Sequence, residues 1–383
     1  MKKILLVHNT YKYLGGEDIA VTKEIEFLKK HYQVETLIFE NSIQNIFYTF
    51  FSFINNKNYK SIRLLKRKLN DFNPDFVYVH NTWFKASVGV IDILLKKKIP
   101  LFIKLHNFRY FCTKSFYSLN HVNKDSECGA CGMSDREMGI FNKYFTNSYL
   151  KSLFVIRYGV NYFKLIKNKD LKLLVLTNFH KKFLINQGFK DKNVFVMRNN
   201  VGQNLPEALD NKEKIITYAG RISREKGVEE IISAFIKSNL ADFELNIIGD
   251  GPLKNYLNTK YLNKNINFYG ELPNNETLNI INKSMAVVTG TKLFEGQPTL
   301  LCEASYLNSV SIFPKIGGIE EFFPKNYELA YEKGNEEDLI SKFNMLTDLG
   351  FISATAKQNY NHITNLLDEK ELEDKFYLIT NAK

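Results

Sequence analysis

Short β-branched and aromatic runs alternate with longer segments of helical period from one end of the chain to the other. That alternation predicts parallel sheets with crossover helices, an α/β fold. In the first half the expected strands are Lys3 to His8, Val34 to Phe39, Asp75 to His80, Leu101 to His106 and Leu173 to Thr177. The pattern restarts near Arg198 with Ile215 to Ala219, Glu244 to Ile248, Ile266 to Tyr269, Ala286 to Thr289 and Val310 to Phe313. Between the halves, Asn199 to Lys212 is polar and aperiodic, the best linker candidate. Two Rossmann-like domains facing each other are therefore expected: residues 1–197 and residues 198–357. Gln358 to Tyr377 reads as a helix, and the tail 358–383 is expected to return to the first domain.

Composition narrows the class without naming a function. The 383 residues are 44% hydrophobic and 24% charged, with only 8 Pro, which excludes disordered and low-complexity chains. The longest apolar stretches, such as Ile46 to Ile54, contain polar interruptions and are far too short to span a bilayer. The apolar run Ile4 to Val7 after Met1-Lys2-Lys3 is too short for a signal-peptide core, so a cytoplasmic chain starting at its first strand is expected. Four cysteines cannot frame a chain of this length with disulfides. Net charge is uneven: residues 1–190 hold 31 Lys and Arg against 14 Asp and Glu, a balance of +17, and the remainder is −6. A basic half suits nucleic acid, an anionic membrane or a phosphorylated substrate, or is simply a solvated Lys-rich surface. The Lys are spread over many segments and no nucleic-acid recognition motif occurs, so nucleic acid is not expected as a partner.

In open parallel sheets, ligands bind beyond the carboxyl ends of the strands, and those positions are rich here. His8-Asn9 follows the first strand and Gly15-Gly16-Glu17-Asp18 opens a helix. His80-Asn81 ends the third strand and His106-Asn107-Phe108-Arg109 the fourth. In the second half, Gly220-Arg221 through Lys226-Gly227 places two cations in a strand-to-helix loop, where a fork and a point charge can hold a diphosphate. Strand Ala286 to Thr289 then runs into Glu295-Gly296-Gln297-Pro298-Thr299, with Glu303 deeper in the next helix. Pro298 suits the first helical position, which would aim N–H groups around Gly296, Gln297 and Thr299 at a ligand.

These segments resemble the retaining glycosyltransferases of family 4, which have the GT-B fold. The likeness runs through Gly15-Gly16-Glu17-Asp18, Pro74-Asp75 to His80-Asn81, His106 to Arg109, Gly220 to Gly227, Gly249-Asp250-Gly251-Pro252 and Glu295 to Glu303, in family order over nearly the whole chain. The resemblance implies transfer of a hexose-type sugar, with retention, from a nucleotide diphosphate sugar to a cell-envelope glycan, lipid-linked or not. It implies that Arg221 and Lys226 hold the diphosphate, Glu303 the ribose and Glu295 the donor sugar. Gly16 would approach the donor phosphates, the backbone at Leu272 the base, and His106 the sugar from the other domain. His106 and Glu295 are the catalytic candidates. A nucleotide-sugar 2-epimerase on the same fold, or a non-catalytic binding subunit, are the alternatives.

No Asp-x-Asp occurs, so a carboxylate-bound catalytic metal is not expected and no cofactor is required. Cys128-Gly-Ala-Cys131, with Cys112 upstream, has zinc-ligand spacing. Family members carry a further Cys in a Lys-Cys-Tyr-Arg context where this chain reads Lys143-Tyr144-Phe145-Thr146, so free thiols on a loop stand beside structural zinc as readings. Phe47, Tyr48, Phe50, Phe51 and Phe53, followed by Lys57 to Lys68, fit either a peripheral anionic-membrane contact or a buried aromatic face.

Overall fold

The structure is a computed structural model that describes residues 1–10, 16–40, 56–112, 131, 143, 145, 147–167, 171–202, 204–262 and 264–381. All ten expected strands form, joined by two short edge strands that the hydrophobic pattern missed. They arrange in two six-stranded sheets whose strand pairs are all parallel.

The first sheet contains β1 (Lys3–Thr10), β2 (Gln33–Glu40), β3 (Phe76–Val79), β4 (Leu101–Leu105), β5 (Leu171–Val175) and β6 (Val194–Val196), in the order β2-β1-β3-β4-β5-β6. Ile4, Leu5, Leu6 and Val7 are fully buried, as a strand covered on both faces requires. The order reverses between β1 and β3, and the crevice outside their carboxyl ends is where such a sheet offers a ligand site.

The second sheet contains β7 (Glu213–Ala219), β8 (Glu244–Ile248), β9 (Ile266–Gly270), β10 (Ser284–Val288), β11 (Val310–Pro314) and β12 (Ala330–Tyr331), in the order β12-β11-β10-β7-β8-β9. Renumbered from β7, this is the 3-2-1-4-5-6 order of a dinucleotide-binding sheet. Its reversal lies between β7 and β10, the two strands that run into the Arg221–Lys226 loop and the Glu295–Glu303 segment. The helix Val228–Lys237 buries Ile231, Ile232 and Phe235 on this sheet's core, each worth about 1.5–3 kcal/mol.

The chain divides into two compact units, residues 1–200 with 374–383 and residues 201–373. The tail is two helices rather than the one expected over Gln358 to Tyr377. Leu349–Leu366 ends, and Asp368 then accepts the Glu371 N–H at 2.9 Å to start Glu369–Asn381. Leu349–Leu366 stays with the second unit, its Ile352 and Ala356 packed into that unit's core, so the return to the first unit begins at 374 instead of 358. Phe376, fully buried, packs against Tyr32, Phe76 and Tyr78, and this aromatic cluster holds the returning helix. The polar stretch after Asn200 is tied to the second unit: Asn282 accepts the Leu209 N–H, and Lys212 Nζ donates to the Asn282 carbonyl at 2.7 Å.

Candidate active site

In the second unit, two glycines set the backbone of the crevice. A Cβ on Gly227, at φ +66°, would lie 2.1 Å from the Gly290 carbonyl oxygen. One on Gly249, at φ +129°, would lie 2.0 Å from that of Gly220. Only glycine permits these approaches, which draw together the loops after β7, β8 and β10. The Lys292 N–H donates to the Glu225 carbonyl at 2.9 Å, a further tie between the first and last of these loops.

Within that frame Lys226 and Glu295 meet directly. Lys226 Nζ is 2.6 Å from Glu295 Oε1, and Thr291 Oγ1 donates to the same oxygen at 2.8 Å. Tyr218 donates its hydroxyl to the Arg221 carbonyl at 2.8 Å. Burial, then the Glu295 and Glu225 carboxylates, push its pKa well up and keep that donor in place. The Arg221 side chain is exposed and has no ion pair among the described residues, so its fork is available to an anion. Glu303 is buried in the helix Thr299–Tyr306, and Gln297 is buried just ahead of it, whereas Leu272 is half-buried after β9. The helix starts one residue later than expected: Pro298 is the cap, and the Thr299 N–H turns back to the Gln297 carbonyl at 3.0 Å. Thr299 therefore spends its N–H on its own turn instead of aiming it outward.

In the first unit the carboxyl ends of β1, β3 and β4 converge on a cleft lined by Glu17, His80, Trp83, His106, Asn107 and Tyr110, among others. Asn9 and Asn81 build its floor. Asn81 Nδ2 donates to the Asn9 carbonyl, Asn9 Oδ1 accepts the Ala86 N–H, and Asn81 Oδ1 accepts the Trp83 N–H, each at 2.9 Å. The helix Gly16–Lys29 enters with two acids in its first turn. Glu17 accepts from Asn107 Nδ2 at 2.9 Å, and Asp18 pairs with His8 Nε2 at 2.9 Å. These carboxylates already complement the helix dipole. Open space surrounds the Cβ position of Gly16, so the backbone there is accessible; Gly15 lies outside the described residues.

Behind the cleft runs a buried polar chain that the sequence did not announce. Lys104, wholly buried in β4, donates to both oxygens of Glu24 at 2.8 Å, and the Tyr78 hydroxyl donates to Glu24 Oε1 at 2.8 Å. His80 follows, its Nδ1 3.9 Å from Glu24 Oε2 and 2.9 Å from His106 Nε2. Burial, with Lys104 and His8 adding to it, lowers the His80 pKa well below the usual value. Burial, His80 and Lys104 do the same for His106, so both imidazoles are neutral near pH 7. One signal was available in sequence: a lysine inside the apolar run Leu101-Phe-Ile-Lys-Leu105 cannot be buried without a carboxylate partner.

Cys112 and Cys131 are both buried, while Cys128 lies outside the described residues, as does the aromatic run Ile46 to Ile54. Among the described residues no group of His, Cys, Asp and Glu has metal-holding geometry, and no helix is long and apolar enough to cross a membrane.

Residues 204–363 match the family model for "Glycosyl transferases group 1". Over 127 residues the chain is 30% identical to TuaC of Bacillus subtilis (strain 168), described as a teichuronic acid biosynthesis glycosyltransferase; the match covers 33% of this chain and only 31% of that protein. The fold is that of HepE from Anabaena, solved with UDP and glucose, at TM-score 0.66 and 13% identity over 98% of each chain. It is also that of sucrose-phosphate synthase from Thermosynechococcus elongatus, at TM-score 0.71 and 13% identity over 99% of this chain and 98% of that one. Together with the strand orders, these likenesses establish the α/β GT-B fold.

Proposed function

We propose, from a second unit that is a group 1 glycosyltransferase domain, that the chain transfers a hexose-type sugar from a nucleotide diphosphate sugar to a glycan acceptor. The observation that carries this reading is the cluster at the β7/β10 reversal: the free Arg221 fork, the Lys226–Glu295 pair and the buried Glu303. Departure of the leaving group builds negative charge on a nucleoside diphosphate, and fixed cations lower the barrier by meeting that charge as it forms. Arg221 and Lys226 fill that role, Glu295 contacts the donor sugar, Glu303 the ribose, and the backbone near Leu272 the base. Gly296, Gln297 and Pro298 shape the wall before the helix.

The cleft of the first unit, with Trp83, Tyr110, Glu17 and Asn107 beside His106, has the mixture of rings and hydrogen-bonding groups that suits a carbohydrate. Within the first unit, His106 is the residue assigned to the sugar and the exposed backbone at Gly16 the one assigned to the donor phosphates. We assign the chain to family 4, with retention through same-face attack in which the departing phosphate takes the acceptor proton. In this reading the reaction needs no metal, because Arg221 and Lys226 supply the positive charge that a divalent ion would otherwise bring to the diphosphate. The likeness to TuaC and to HepE with UDP and glucose supports a cell-envelope glycan as acceptor and a UDP-sugar as donor. The exposed Lys60, Arg63 and Arg67 beside exposed Tyr59 and Leu64 support a cytoplasmic protein resting on an anionic membrane.

A thermal-shift panel of UDP-, GDP-, dTDP- and ADP-sugars tests this. The cognate donor at a hundred times its Kd adds about 2.7 kcal/mol of stability. No shift with any nucleotide, in a chain that shifts equally little when Arg221 is replaced by Ala, would sink the proposal.

A further inference from the structure

The rings of His80 and His106 meet edge to edge, 26° apart in plane and 5.2 Å between centroids, and share a single hydrogen bond between Nδ1 and Nε2. Since both are neutral, one proton occupies that bond, and its owner decides what His106 offers the cleft. If His106 Nε2 held the proton, His80 would carry its own on Nε2. That atom is buried and has no hydrogen-bond partner among the described residues. An orphaned buried N–H is rarer and costlier than an unused lone pair. The Glu24 carboxylate, 3.9 Å from His80 Nδ1, also draws the proton to Nδ1. Glu24 is itself held by Lys104 and Tyr78, and the remaining ionisable pair beside these rings is His8 with Asp18.

We propose that His80 is a positioning residue that donates from Nδ1 to His106 Nε2, fixing His106 as the Nδ1–H tautomer, which presents the cleft with a hydrogen-bond donor and no base. The bond to His80 is the sole hydrogen bond of the His106 ring among the described residues, so Nδ1–H is left for a ligand oxygen. The ligand class is a sugar hydroxyl or ring oxygen, which rests on the reading of the cleft as a carbohydrate site. His106 then orients and polarises its partner, and the acceptor proton must leave by another route, in keeping with proton transfer to the departing phosphate.

The test is long-range proton–nitrogen correlation on the full chain labelled with ¹⁵N-histidine, the His106 signals assigned by their loss in His106→Gln. The expected result at pH 7 is a protonated Nδ1 and a bare Nε2 on His106. In His80→Leu that ring should revert to a mixture favouring Nε2–H. In His80→Asn, whose amide can donate near the place of Nδ1, it should return to Nδ1–H. Nε2–H on His106 in the wild type overturns the proposal whether or not either variant folds. A kinetic arm accompanies it: His80→Leu should lower kcat about tenfold with donor KM unchanged, and His80→Asn should recover most of it. A chain that transfers no sugar but shows the Nδ1–H tautomer keeps this inference and overturns the function; the reverse pairing does the opposite.

Discussion

Lys226 Nζ and Glu295 Oε1 lie 2.6 Å apart, so the cation expected at the diphosphate and the carboxylate expected at the sugar are partners of each other. Their side chains are 31% and 27% exposed, a pairing partly screened by solvent and open to rearrangement when an anion arrives. Changing either residue therefore changes the other's charge balance.

Glu295→Gln should abolish most transfer while nucleoside diphosphate binds about threefold tighter, because Lys226 is freed from a partly solvated interaction of ~0.6 kcal/mol. Isothermal titration with steady-state rates checks both halves. An unchanged kcat would remove Glu295 from the chemistry.

Arg221→Ala should weaken nucleoside diphosphate binding by about 1.5–3 kcal/mol, the worth of a charge-assisted hydrogen bond. Lys226→Ala should cost more, since it also leaves the Glu295 charge facing the diphosphate. The double variant Lys226→Ala/Glu295→Gln should recover part of that loss. Equal, additive losses in this cycle would mean that the pair is not coupled at the ligand.

Gly227→Ala should destabilise the second unit by at least ~2 kcal/mol, because the new methyl meets the Gly290 carbonyl and the φ of +66° disfavours alanine. A urea midpoint equal to that of the wild type would contradict the crevice geometry.

Stability should fall on acidification below neutrality. Burial depresses the pKa of His80, His106 and His180, the last to about 3, so the folded state binds fewer protons than the unfolded chain once pH drops below the ordinary histidine value. The stabilisation from keeping each ring neutral is whole above about pH 6.5 and is lost as pH falls towards its folded value, at ~1.4 kcal/mol per pH unit per group. His180→Phe, which keeps a ring against Phe108, should flatten the slope of unfolding free energy between pH 6.5 and 5 by one such increment. An unaltered slope would show that His180 is not neutral in the fold.

Chelation by EDTA should leave the transfer rate unchanged at early times. If Cys112 and Cys131 belong to a zinc site, activity should decay over hours and return only with zinc. Immediate loss restored by magnesium or manganese would refute the proposed metal-free departure of the diphosphate.

Hydrophobic alternation made the ten main strands legible, because a strand buried on both faces must be written in apolar residues, as Ile4-Leu-Leu-Val7 is. The edge strands Val194–Val196 and Ala330–Tyr331 escaped notice because they are two or three residues long and leave no period to detect. The positions of Arg221, Lys226, Glu295 and Glu303 were legible too, since glycine, proline and charge at strand ends are local features. What those side chains do to one another was not. Lys226 and Glu295 are 69 positions apart in the chain, and His80 and His106 are 26 apart. Lys104 and Glu24, 80 apart, meet only because β4 and the helix Gly16–Lys29 bury both on the same side of the first sheet. A sequence specifies which residues are available at each strand end. The strand order and the packing of helices on the sheet decide which charges share a site, and so which of them are neutralised before any ligand arrives.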